Sequence, residues 1–175
     1  GGRGEAGGPD KCYGLYGYAY GTGPTNYGVY GNAGPGATVN RAGYFAGNLE
    51  YTGSLIPPSD QLLKQNIEDL GDALPTLLQL QPKTFQFKTE EYPQMHLATG
   101  TQMGLIAQDV AQVLPDLVHD CMHPEEYDTT GTLVHAAVPH LGVDYISLIP
   151  LLVASVKEQQ AMIQQQQDLI TDMQQ

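Results

Sequence analysis

The sequence has no tryptophan, three phenylalanines and two cysteines in 175 residues. Cys12 and Cys121 lie too far apart, and are too few, to form the disulfide framework of a small stapled domain. Cations are scarce: seven lysines and arginines stand against 19 acidic residues, for a net charge of −12. Such a chain repels nucleic-acid phosphates and anionic lipid, so neither nucleic acid nor a membrane surface is an expected partner. No apolar run approaches the roughly 20 residues that span a bilayer. The Gly-rich opening carries no evident secretion signal. No cofactor is expected.

Other absences are local. Residues 1–58 contain no glutamine and almost no aliphatic side chain before Val39, yet hold 16 of the 21 glycines and 8 of the 11 tyrosines. Arg3, Lys11 and Arg41 balance Glu5, Asp10 and Glu50 there, so the whole net charge belongs to residues 59–175. Two unlike modules meet at Pro57-Pro58-Ser59.

The first module repeats. Residues 13–19 read Tyr-Gly-Leu-Tyr-Gly-Tyr-Ala, and residues 27–33 read Tyr-Gly-Val-Tyr-Gly-Asn-Ala. Gly43-Tyr44-Phe45-Ala46-Gly47 is a weaker echo. A repeat this short cannot bury its own apolar face and must stack on copies or other chains. Tyr alternating with Gly suits short strands, with glycine where backbones turn or approach closely. The expectation is an intertwined β-stalk over residues 1–58, its last strand at Leu49–Leu55. A Gly-rich linker is the blander alternative.

The second module, residues 59–175, reads as α+β. Leu62, Leu63, Ile67 and Leu70 suggest a helix opened by Ser59 and closed by Gly71. Asp72 then caps a helix reaching Leu80, with Pro75 in its first turn. Thr84–Phe87 and Met103–Ile106 read as short strands, and Ala107–Leu114 as a helix stopped by Pro115. Residues 119–142 look like an exposed hairpin arm. His119-x-Cys121-x-His123 within it could ligate a metal, but the alternation also suits one face of a strand and no fourth ligand is evident, so no metal site is assigned.

A long helix is expected from about Tyr145 to the end. Ile149, Val156, Ile163 and Ile170 recur every seven residues, with Leu152, Gln159, Gln166 and Met173 at the other seam position. A strict heptad predicts a left-handed coiled coil over about residues 146–175, compatible with three strands. The glutamines at 164–167 leave too little apolar surface for this end to pack on its own domain alone.

Three segments together resemble one family. They are Ser59-Asp60-x-x-Leu63-Lys64-x-Asn66-Ile67; Gly104-Leu105-Ile106-Ala107-Gln108-Asp109-Val110 with Leu114-Pro115; and Gly142-Val143-Asp144-Tyr145-x-x-Leu148-Ile149-Pro150-Leu151-Leu152 with Lys157-Glu158-Gln159-Gln160. In order and spacing they resemble the C-terminal intramolecular chaperone auto-processing domain of phage tailspikes and tail fibres such as endosialidases. That domain also occurs in membrane-bound myelin regulatory factors. The resemblance covers residues 59–175 and implies a homotrimer that drives folding of an upstream shaft on the same chain and then cuts itself off. It implies a place on a virion tail, with a bacterial surface fibre as the alternative. Ser59 matches the family nucleophile and Lys64 the family base, with Asn66 in the same signature. Leu62 stands where arginine is common, and Gln65 where glutamate is common.

A lysine activates a serine only when neutral, a state that burial favours. Five residues apart on one α-helix, Ser59 and Lys64 would point about 140° apart. Either Ser59 precedes the helix as its N-cap, or each serine uses the lysine of a neighbouring chain. Asp60, four before Lys64, would pair with it on an exposed helix and hold its charge. Attack by Ser59 on the Pro58 carbonyl passes through a five-membered ring, and attack on its own carbonyl through a four-membered one. The Pro58–Ser59 bond is therefore favoured for the cut, with Ser59–Asp60 the alternative. A cleavage-dead structural cap and a release module of a membrane-tethered regulator are competing readings.

Overall fold

The computed structural model describes residues 19–174 apart from 21, 23, 24, 26, 28, 36–38 and 40. By backbone contact the chain divides into residues 1–44 and 45–175.

Most of the first Tyr-Gly repeat lies outside the described residues. Among those described before Ser59, none belongs to a helix or strand. Within the second repeat, Tyr27 and Tyr30 pack edge to face with ring centres 6.0 Å apart. Gly31 is fixed by close approach, since a Cβ there would sit 2.5 Å from the Ala42 carbonyl oxygen. The strand expected at Leu49–Leu55 does not form, and these residues are exposed. A strand needs a ladder partner for its amides and carbonyls, and no described segment of the chain runs beside it.

The second unit is α+β, with short antiparallel strands and a long final helix. Helix α1 (Ala73–Leu77) follows Asp72, whose backbone is left-handed at φ 52° and whose side chain makes no cap. Strands β1 (Lys83–Phe85) and β2 (Gln102–Gly104) pair antiparallel. Helix α2 (Ala107–Val113) stops before Pro115, whose ring cannot continue it. Strands β3 (Val118–His123) and β6 (Val138–Val143) form the base of the arm, six residues in continuous antiparallel register. The short pair β4 (Glu126–Tyr127) and β5 (Leu133–His135) is nested inside it. Asp128 closes the tip: its Oδ1 accepts from the amides of Thr130 and Thr132, and Gly131 supplies φ 83°. His119, Cys121 and His123 do alternate along β3. His123 is buried, with its Nε2 3.3 Å from Glu126.

Helix α3 (Leu148–Met173) has no side-chain cap at Ser147 and follows an Asx turn at Asp144. The Asp144 carboxylate accepts from the Ser147 hydroxyl at 2.6 Å and from the Ile146 and Ser147 amides. The Ser147 hydroxyl and then its amide hold the Asp144 carboxyl below the usual range, with burial opposing weakly. A depressed carboxyl stabilises the fold above its ordinary pKa, and that contribution fades as pH falls through the lowered value.

The core is small. Ala73, Leu80, Val110, Leu148 and Leu151 are its buried apolar residues, with Leu77, Leu105, Leu117, Val118 and Val143 packed around them. It joins α1, α2, α3 and the root of the arm. Tyr145 locks the strand pair to the start of α3: its hydroxyl accepts from the Leu105 amide at 2.8 Å. A Cβ on Gly104 would sit 2.7 Å from that hydroxyl and 3.3 Å from the Phe85 ring. Gly104→Ala should therefore cost about 1–3 kcal/mol by overpacking, visible as a lowered thermal midpoint. An unchanged midpoint would mean the Tyr145 contact yields freely.

Candidate functional site

The helix expected from Ser59 to Leu70 is absent. One 3₁₀ turn, Gln61–Leu63, takes its place. Asp60, not Ser59, caps it, with Oδ1 accepting from the Leu62 amide at 2.8 Å. Lys64 closes the turn, its amide donating to the Gln61 carbonyl at 3.0 Å, and then leaves in extended conformation. Asn66 follows in left-handed backbone at φ 53°, which stops helical propagation. Leu62, Leu63, Ile67 and Leu70 are all exposed, with none of them packed on the described core. A helix this short without tertiary support is not stable.

This irregular path places the side chains in contact. The Lys64 Nζ donates to the Ser59 Oγ at 2.9 Å. The 140° separation on an α-helix does not apply, because Ser59 precedes the turn in extended chain and Lys64 lies at its far end. Within the single chain the pair is in contact without any contribution from a neighbour. The Asp60 carboxylate is engaged by the Leu62 amide, so it acts as a cap, and the ideal helix on which it would pair with Lys64 does not form. Pro58, Ser59, Asp60, Lys64 and Asn66 are all exposed. A serine hydroxyl held on a lysine amine is a nucleophile and base pair once the amine is neutral. These residues, all exposed, do not themselves exclude water from the Lys64 amine.

The seam residues Ile149, Leu152, Val156, Ile163 and Ile170 lie on α3, and all are exposed. The face of α3 turned to its own domain is a different one, carrying Leu148, Leu151 and Ser155. Ser155 spends its hydroxyl on the Leu151 carbonyl at 2.8 Å, which lets this face pack closely.

Sequence reasoning missed Glu158. Its two carboxylate oxygens accept from the amides of Ala73 and Leu74 at 2.9 and 2.8 Å, capping α1 from across the fold. The only sequence signal was its membership of the closing Lys157-Glu158-Gln159-Gln160 run.

No helix among the described residues is long and apolar enough to cross a membrane. Residues 120–175, with most of the arm and all of α3, lie beyond the segment matched by a family model. That match begins at Ser59 and ends at His119, its model is the peptidase family described as chaperone of endosialidase, and it supports an intramolecular chaperone domain in this stretch of the chain.

Proposed function

We propose that residues 59–175 trimerise, fold an upstream fibre shaft represented by residues 1–58, and then release themselves by cutting at Ser59. The contact between Lys64 and Ser59 at 2.9 Å, at the first residue of the family match, is the observation that carries this reading. Neutral Lys64 takes the Ser59 hydroxyl proton as Oγ attacks the Pro58 carbonyl carbon through a five-membered ring. The C–N bond breaks, the Ser59 nitrogen takes the proton back, and an ester links Pro58 to the Ser59 Oγ. Water then hydrolyses the ester, leaving a carboxylate on Pro58 and Ser59 as a new amino terminus.

Assembly supports both halves of this function. The exposed heptad stripe of α3 fits two further copies in a left-handed bundle. Few apolar side chains of the unit are buried, while Leu62, Leu63, Ile67 and Leu70 lie open beside the pair. Covering them in a trimer would exclude water from Lys64. The client is the same chain's Tyr-Gly segment, whose strands need partners from other copies. A virion tail fibre or tailspike is the setting that a chaperone of this family suits best.

Leu62, which has no charge where the family commonly has arginine, favours a second reading: a cap that trimerises but does not cut. Sequencing the amino terminus of any released fragment separates the readings. The expected start is Ser-Asp-Gln. A start at Asp60 moves the cut one bond on, and no fragment favours the cap. Mixing Ser59→Ala with Lys64→Ala subunits should restore no cleavage, because the pair forms within one chain. Restored cleavage would mean the lysine acts from a neighbouring subunit.

A further inference from the structure

Residues 59–72 are exposed throughout, and their described hydrogen bonds stay within the segment or its junction with α1. The segment joins the rest of the fold where Ala73, fully buried, enters the core. That junction is held by the Glu158 carboxylate on two consecutive amides, Ala73 and Leu74. Both donors are orphan amides of a helix start, and an anionic acceptor is what such an end favours most. Asp72, in left-handed backbone, makes no side-chain cap of its own. Glu158 thus does a job that no nearer residue performs.

Glu158 also lies on α3, the helix that carries the unpartnered heptad stripe. By helical geometry it sits roughly 140° around from Ile163 and roughly 160° from Val156, on the opposite face. One rigid helix therefore presents the stripe outward and the cap inward.

Granted self-cleavage at Ser59, we propose that Glu158 is a positioning residue that couples assembly of α3 to the geometry of the Ser59–Lys64 pair. Trimerisation through the stripe clamps the already formed α3, α3 holds Glu158 on the Ala73 and Leu74 amides, and those amides fix one end of the cleavage segment. With that end released, no other hydrogen bond among the described residues ties the segment to the fold, and a nucleophile displaced by about 1 Å loses much of its rate.

The test uses the full chain as wild type, Glu158→Gln and Glu158→Ala. Gln keeps one accepting oxygen and the side-chain shape, and Ala keeps neither. Light scattering reads the assembly, intact mass reads the cleavage rate, and hydrogen exchange reads the amides of residues 73–80. The expected result is an unchanged trimer with cleavage in the order wild type, Gln, Ala. Ala should be slower by about tenfold or more, the worth of one charge-assisted hydrogen bond. Exchange at residues 73–80 should rise in the same order while α3 stays protected. Variants that cleave at the wild-type rate overturn the coupling. Loss of the trimer in step with cleavage overturns it too, since Glu158 would then only support the fold. A wild type that never cuts overturns self-cleavage itself and this role with it, while exchange at residues 73–80 still tells whether the cap exists.

Discussion

Replacing Ile163 by aspartate is expected to dissociate the assembly. Three carboxylates would share one seam, each stripped of water and none with a cation, since the seam offers isoleucine, valine, leucine, methionine and glutamine only. Burying even one unpaired carboxylate costs several kcal/mol, and like charges at close range add to it. The single-chain fold should survive, because Ile163 is 40% exposed and lies outside the core formed by Leu148 and Leu151. Light scattering at micromolar concentration should report three copies for wild type and one for Ile163→Asp, with helical circular dichroism largely kept. A wild-type monomer at that concentration would remove the trimer, and an assembled Ile163→Asp would move the interface elsewhere.

Ser59→Ala and Lys64→Ala are each expected to abolish cleavage and leave the trimer intact. Removing a nucleophile or its base costs about 10⁴-fold or more in hydrolases built this way, which over hours is no product at all. Both side chains are exposed and outside the core, so neither change should lower stability by more than about 0.5 kcal/mol. Lys64→Arg sharpens the test: it keeps the donor to Ser59 but cannot become neutral, so it should be as inactive as alanine. Any of these variants cutting at the wild-type rate would remove the pair from the mechanism.

The parts of the fold visible in advance were those fixed by local chemistry. Pro115 stops α2, residues 119–142 form an arm, and the heptad isoleucines announce α3. The segment from Ser59 to Leu70 was misread because its apolar spacing suits a helix. Whether such a helix forms depends on a surface to pack against, and on Asn66 adopting φ 53°, neither of which spacing reveals. That error also displaced the geometry of the pair: an irregular turn brings Ser59 and Lys64 into contact within one chain. Glu158 was invisible for another reason. Its partners are 84 and 85 residues away and are backbone amides, which carry no side-chain signature. The strand expected at Leu49–Leu55 needs a ladder partner, and no described residue supplies one.

The most direct test of self-cleavage in the assembled domain is an intact-mass time course on freshly purified wild-type protein held above its assembly concentration, beside Ser59→Ala. The wild type should pass from one full-length mass to two fragments that sum to it plus one water, divided between Pro58 and Ser59, while Ser59→Ala stays whole. A trimeric wild type that keeps its full-length mass indefinitely would contradict the account and leave the domain a trimerising cap.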